Sequence, residues 1–408
     1  MTRRQRARLR ARLLVIAALS GATVFATTGT GPAMASPSRA FPATGRVIQR
    51  LDAANMTRFT GGQAQAVALA RAYDVLIANP GEFGSYLPAM RAANRGLIIL
   101  GYLNGTFAQH GQPSTFPDAW YLRDAAGDKV TSRGWGNYAM DPANSGWVNS
   151  RVHACTQIVA EGYDGCMLDM LGDSATQPGY VNGLPVNPAT HRRYTAEQWL
   201  TATGRLGAGV AGAVSPKLVA GNGLGSGVRY FDPVAPSSQL YNGIRAALAE
   251  AWLRPPNAPA GPYPSEAAWK ASVDALVNAG QRGDVLVALT KVWGGGSPAQ
   301  ISAWHLLSLA SFLLGTNGTA YYEFSSSNTE SGILNDSPWE HLDVGLPTGP
   351  YSRVGAVFER TFTRGLVLVN PTRRPAQVLL PRPLCDANGS RHRTVTLGPD
   401  GADIFTRC

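Results

Sequence analysis

Gly162-Tyr163-Asp164-Gly165-Cys166-Met167-Leu168-Asp169 is a turn, a short apolar run and a carboxylate, in that order. The Tyr-Asp-Gly turn launches Gly165 to Leu168, and the run ends on Asp169 before the glycine-containing segment Met170 to Asp173. An unbroken apolar run of this length predicts a strand buried on both faces of a parallel sheet. A carboxylate where such a strand opens into a loop is placed as a barrel enzyme places its catalytic acids. The other reading of Asp169 is a helix cap or a surface turn.

The rest of the chain repeats the pattern. Tyr73 to Ala78, Leu97 to Leu103, Lys217 to Ala220, Asp284 to Leu289 and Thr319 to Phe324 are further apolar runs. Arg46 to Leu51 and Arg245 to Ala249 are weaker ones, the second rich in Ala and Leu, which favour helix. Helical segments alternate with them: Gly62 to Arg71, Leu87 to Asn94, Ser145 to Glu161, Trp199 to Val210, Glu266 to Ala279 and Ile301 to Leu314. Thr195-Ala196-Glu197-Gln198 and Ser297-Pro298-Ala299-Gln300 read as capping boxes, and Ser265 as a cap. This rhythm allows an open doubly wound sheet or a closed (β/α)8 barrel. Eight runs in sequence favour the barrel, an α/β TIM-barrel fold. The glycine-rich Gly221 to Gly227 has Ser226 where a dinucleotide fingerprint needs its third glycine, so it reads as a loop. Trp120 to Met140 reads as a hairpin excursion above the barrel. Beyond Gly355 the runs become all-β, from Ala356-Val357-Phe358 to Ala402–Phe405, and predict a small antiparallel β-sandwich.

Six arginines between Arg3 and Arg12, the apolar Leu13 to Thr27 and Ala33-Met34-Ala35 form a signal peptide pattern. The apolar core is shorter than a membrane span of about 20 residues. Cleavage after Ala35 is expected, giving a secreted, extracellular protein with no membrane anchor. The expected organisation is 1–35 signal, 40–345 barrel and 350–408 C-terminal β-sandwich. Without the six signal arginines the net charge falls from +10 to +4, spread along the chain. That does not argue for a nucleic-acid binder, where a concentrated stripe is expected. Four cysteines in an exported chain predict two disulfides. Of three connectivities the local one is expected, Cys155–Cys166 and Cys385–Cys408. It agrees with strand alternation: if Met167 and Asp169 face the axis, Cys166 and Leu168 face the helices, where Cys155 lies.

Chemistry on a barrel sits at the carboxyl ends of its strands. Those ends carry Tyr102 and Asn104, Asp169, Asn222, Glu250 with Trp252, Lys291 with Trp293, and Tyr321 to Glu323. Asp169 and Glu250 are two acids two strands apart, the pair that glycoside hydrolysis requires. Tyr102, Trp252, Trp293 and Tyr322 offer rings or hydroxyls to a sugar. Asp141, Asn222, Lys291 and Glu323 offer polar contacts. Structural roles compete for several: Glu250 as a helix ion pair, Asp141 as the start of the helix at Ser145, and Lys291 as a surface lysine. No Gly-x-Ser-x-Gly, His-Glu-x-x-His or Cys-x-x-Cys occurs, so no metal or cofactor is expected.

Several stretches together resemble the "hypothetical glycosyl hydrolase 15" family. They are Tyr121-Leu122-Arg123-Asp124, Met140-Asp141-Pro142-Ala143-Asn144, the segment Gly162 to Asp169, Ala249-Glu250-Ala251-Trp252, and Phe358-Glu359-Arg360 with Gly365 to Pro371. The resemblance implies a (β/α)8 barrel distantly akin to α-galactosidases, acting on an oligo- or polysaccharide. By that analogy Asp169 is the nucleophile and Glu250 the proton donor, although Glu250 stands where that clan has Asp. The expected partner is a carbohydrate substrate and the expected state a monomer. A barrel that binds carbohydrate without cleaving it is the alternative.

Overall fold

The computed structural model describes residues 41, 50–52, 59–108, 115–326 and 337–408. The signal segment and most of the first expected strand, Arg46 to Leu51, lie outside them. Eight strands form one all-parallel sheet in chain order: β1 (Leu51–Asp52), β2 (Val75–Ala78), β3 (Ile98–Asn104), β4 (Gly165–Asp169), β5 (Leu218–Asn222), β6 (Ala246–Ala249), β7 (Val285–Lys291) and β8 (Tyr321–Ser325). The sheet curls, and Arg50, just before β1, forms a parallel bridge with Tyr322 of β8. Helices α1 (Gln63–Ala72), α2 (Leu87–Ala93), α3 (Ser145–Ala160), α4 (Ala196–Val214), α5 (Gly227–Tyr230), α6 (Glu266–Arg282) and α7 (Pro298–Gly315) intervene between strands. Both expected capping boxes form, at Thr195 and Ser297, and Ser265 caps α6.

Strand alternation sorts the core into two. Ile98, Leu100, Met167, Ala220, Leu248, Val287, Leu289 and Tyr321 pack together inside the curl. Their neighbours Ile99, Cys166, Leu168, Ala247, Ala288 and Tyr322 pack outward against the helices. The Ala/Leu-rich run at β6 is a strand because both its faces are buried in this way, which overrides its helical propensity. Gly165 lets β4 approach β5 closely: a Cβ there would meet the carbonyl of Leu218. Cys155 and Cys166 are disulfide-bonded on the outer side, and Cys385 is bonded to Cys408.

The C-terminal residues form a six-stranded antiparallel sheet: β9 (Ser352–Val354), β10 (Val357–Thr361), β11 (Gly365–Asn370), β12 (Ala376–Cys385), β13 (Arg391–Leu397) and β14 (Gly401–Thr406), in the order β9-β10-β11-β14-β12-β13. The β12–β13 hairpin joins the rest only where Cys385 pairs with Thr406. Leu380, Leu384 and Leu397 therefore fold onto Val357, Leu366, Leu368 and Phe405. The opposite face meets α6 and α7. Phe358 packs on Trp269, and the buried Arg360 donates from Nη1 to the carbonyls of Leu313 and Leu314 in the last turn of α7. Among the described residues no helix is long and apolar enough to cross a membrane.

Candidate active site

One layer above the inner core, the same alternation brings Tyr102, Asp169, Asn222, Glu250, Lys291 and Ser325 to the carboxyl ends of β3 to β8. They are two positions beyond Leu100, Met167, Ala220, Leu248, Leu289 and Glu323 respectively. Their side chains form a hydrogen-bonded chain. Lys291 Nζ donates to Glu250 Oε1 at 2.7 Å. Asn222 Nδ2 donates to Glu250 Oε2 at 2.6 Å and to Asp169 Oδ1 at 2.9 Å. Tyr102 Oη lies 2.7 Å from Asp169 Oδ2. Lys291 Nζ also sits 4.3 Å from the centre of the Trp293 ring, whose indole N–H reaches Ser325 Oγ at 2.9 Å.

The residue after Asp169 takes a conformation that side chains other than glycine's rarely adopt. Met170 has φ 62°, in the left-handed region. That turn aims the Met170 N–H back at Asp169 Oδ1, at 2.8 Å. The Met170 carbonyl accepts from Thr106 Oγ1 at 2.7 Å, and Gly105 N–H bonds the Asp169 carbonyl. Strain of this kind persists where surrounding contacts over-determine the backbone, as here.

Electrostatics separate the two acids. Burial pushes the Asp169 carboxyl above its usual range, and the Glu250 charge adds to this; the donors from Tyr102, Asn222 and Met170 oppose it without cancelling it. The Lys291 ammonium holds Glu250 below its usual range against burial, helped by hydrogen bonds from Lys291 and Asn222. This is opposite to the order expected by analogy, in which Glu250 kept the proton. Burial and the Asp169 charge also push the Tyr102 hydroxyl up.

Other expected site residues lie elsewhere. Trp252 is fully buried behind the sheet and donates its indole N–H to Ser272 O of α6, so it faces away from the carboxylates. Tyr322 is also an outward residue, buried against α7 with its hydroxyl 2.7 Å from Ser308 Oγ. Strand parity excludes Tyr322, whose neighbour Tyr321 faces inward. Trp252 has the parity of Glu250 but lies past the end of β6, in a turn whose Trp252 N–H bonds the Ala249 carbonyl and which carries the ring outward. Asp141 accepts from Ala143 N–H and the Tyr194 hydroxyl at the turn before α3, which is its structural reading. Glu323 shares the inner face with Tyr321 by alternation and is buried one layer below Ser325. Tyr180 is an addition. Its hydroxyl touches Met170 Sδ at 3.3 Å, and burial with the charges of Asp169 and Glu250 raises its pKa. It lies on the loop after β4, where no periodicity marks it.

A family model described as hypothetical glycosyl hydrolase family 15 matches residues 107–366. The chain belongs to this family. No curated protein sequence matches it. Among solved structures, a noncanonic maltogenic α-amylase from Thermotoga neapolitana superposes with TM-score 0.51 at 11% identity, over 88% of this chain and 98% of that one. A family 31 dextranase from Flavobacterium johnsoniae, complexed with glucose, gives TM-score 0.51 at 11% identity, over 91% of this chain and 52% of that one. The glycoside hydrolase domain of a PelA variant from Pseudomonas aeruginosa gives 0.46 at 13% identity, over 70% and 96%. The fold this chain shares with the amylase and the dextranase is an α/β architecture with a curled parallel sheet.

Proposed function

We propose that this family 15 protein is a secreted retaining glycoside hydrolase, built on a closed (β/α)8 barrel at 40–345 with a C-terminal β-sandwich at 350–408. It cleaves O-glycosidic bonds of an oligo- or polysaccharide with Asp169 and Glu250. The observation that carries the reading is the single amide, Asn222 Nδ2, shared by the two carboxylates. Contacts of 2.9 and 2.6 Å to one nitrogen hold the nearer oxygens no more than roughly 5.5 Å apart, which favours the retaining separation of about 5–5.5 Å over the inverting one.

Electrostatics assign the roles. Glu250, kept ionised by Lys291, attacks the anomeric carbon. Asp169 holds the proton that the leaving oxygen needs. That proton belongs on Oδ2, because both contacts to Oδ1 are N–H donors that cannot accept, whereas the Tyr102 hydroxyl beside Oδ2 can. As the glycosidic C–O bond breaks, Asp169 protonates the departing oxygen and Glu250 forms a glycosyl ester. The ionised Asp169 then takes a proton from water, whose oxygen displaces Glu250. Lys291 favours Glu250 as the departing carboxylate. Trp293, beside Lys291, and Tyr180, beside Met170, flank the sugar. The protein acts as a monomer without a cofactor.

The test is a pair of variants on aryl glycosides of graded leaving groups. Glu250→Gln should lose several orders of magnitude on all of them. Asp169→Asn should lose as much on poor leaving groups and be spared on activated ones. The reverse pattern would restore Asp169 as nucleophile. Wild-type turnover left intact in both variants would end the two-carboxylate mechanism.

A further inference from the structure

Positive charge collects on the C-terminal sheet. After Ala35 the chain holds thirty Lys and Arg against twenty-six Asp and Glu. Nine of the basic residues, all Arg, and only four of the acids lie in 351–408, leaving twenty-one against twenty-two in the remainder. The barrel portion is thus nearly neutral and the sheet carries the excess.

Within the sheet the excess is further localised. Arg353 pairs with Glu266, Arg364 with Asp343 and Arg373 with Asp400, while Arg360 is buried against carbonyls. Arg374, just before β12, and Arg382, Arg391, Arg393 and Arg407 are exposed, and none of the five has an acidic partner among the described residues; Arg374 stands apart from the other four. The register sets Arg382, Arg391 and Arg393 on the hairpin and Arg407 one strand further in, where its N–H bonds the Arg364 carbonyl. Cys385 of β12 pairs with Arg391 of β13 on one side and with Thr406 of β14, next to Arg407, on the other. Arg382 and Arg393 lie where the β12–β13 register shifts, between Leu379 and Leu384. The Cys385–Cys408 disulfide fixes Arg407 to this corner. The nearby acids Asp386 and Asp403 reduce the local excess but pair with none of these arginines: Asp386 Oδ1 accepts from the Asn388 and Ser390 N–H groups and Oδ2 bonds His392, and Asp403 Oδ1 accepts from the Ile404 N–H.

We propose that this arginine corner of the β12–β13 hairpin docks a carboxylate-bearing polysaccharide, a uronic-acid chain, separately from the catalytic layer. Guanidinium forks match carboxylates two bonds at a time, and a sheet edge presents them at fixed spacing. An anionic chain is the complement of four unpaired cations on a body otherwise near neutrality. The choice of a glycan as the bearer of the charge rests on the proposed glycosidase function; the electrostatic match does not.

Affinity electrophoresis and sedimentation of the full chain with polygalacturonate test it, with neutral dextran and inorganic polyphosphate as comparisons. Polygalacturonate should retard the protein and dextran should not. Raising salt from about 0.1 to about 1 M, which shortens screening from about 10 to about 3 Å, should abolish the retardation. Arg382→Gln/Arg391→Gln/Arg393→Gln should weaken binding about tenfold at unchanged melting temperature. The corresponding triple Lys variant, which keeps the charge and loses the forks, should bind between the wild type and the Gln variant. Equal binding by the Gln variant, binding of dextran, or retardation by polyphosphate alone would each overturn the proposal. Binding without turnover of any glycoside would instead count against the enzymatic reading and leave the surface standing.

Discussion

Replacing Lys291 by Met tests the charge order of the site without needing a substrate. The Lys291 side chain is 3% exposed and Glu250 is 35% exposed. Removing one partner of a fully buried pair costs about 3–5 kcal/mol, because the other charge is stranded. Water reaching Glu250 screens part of this, so about 2–3 kcal/mol is expected at neutral pH. At about 2 °C per kcal/mol for a chain of this size, the melting temperature should fall by about 4–6 °C. The pH dependence identifies the cause. In the wild type, Glu250 is depressed below its usual 4.5, so its contribution is present above that value and lost as pH falls through the lower folded one. Without the ammonium, burial pushes Glu250 up. Its contribution then changes sign: stability is lost as pH rises from the usual carboxylate value through the raised one. The gap between wild type and Lys291→Met should therefore close in acid, open as pH rises toward about 4.5, and widen further above it as the raised Glu250 of the variant ionises. Scanning calorimetry from acid to neutral pH measures it. A gap that stays constant, or widens as pH falls, would show that Lys291 acts by packing alone and remove the basis for assigning Glu250 as the ionised partner.

Other perturbations probe separate parts of the molecule. Arg360→Met should destabilise by about 2–4 kcal/mol in urea unfolding, since its guanidinium satisfies the last carbonyls of α7 from the C-terminal sheet; an unchanged midpoint would mean the sheet lends the helix nothing. Tyr102→Phe removes a hydrogen bond that favours ionised Asp169, so the alkaline limb of the pH–rate profile should move to higher pH; a shift the other way refutes Asp169 as the proton donor. Replacing Cys155 and Cys166 by Ala opens a loop of separation 11 and should lower stability by about 2–3 kcal/mol. Non-reducing peptide maps should show this bond and Cys385–Cys408, and four free thiols would exclude both.

The sequence revealed elements more readily than the directions of individual side chains, and the reason is physical. Continuous apolar runs mark strands buried on both faces, and caps such as Thr195 and Ser297 mark helix starts; both signals are local. Alternation at Gly165 to Asp169 was also local enough to place Cys166 outward, Asp169 inward and the Cys155–Cys166 bond on the helix side. The same alternation along β8 sends Tyr322 into the outer core, whereas Trp252 shares the parity of Glu250 and reaches the outer core because the chain turns after Ala249. A ring within a strand faces the site only if it shares parity with the carboxylate, and past the strand's last pair the turn decides instead. Trp293 lies in the loop past β7, where parity no longer governs, and it returns to the site through Lys291 and Ser325. The charge order of the acids lies beyond any local reading. It depends on Lys291 of β7 reaching Glu250 at the end of β6, a contact set by the pairing of Ala249 with Ala288 and by the distance each chain runs on from there. A carboxylate's role in this fold is therefore a property of its neighbouring strand. Assignment by strand number alone, as the family resemblance offers, fixes which two acids meet and leaves open which of them holds the proton.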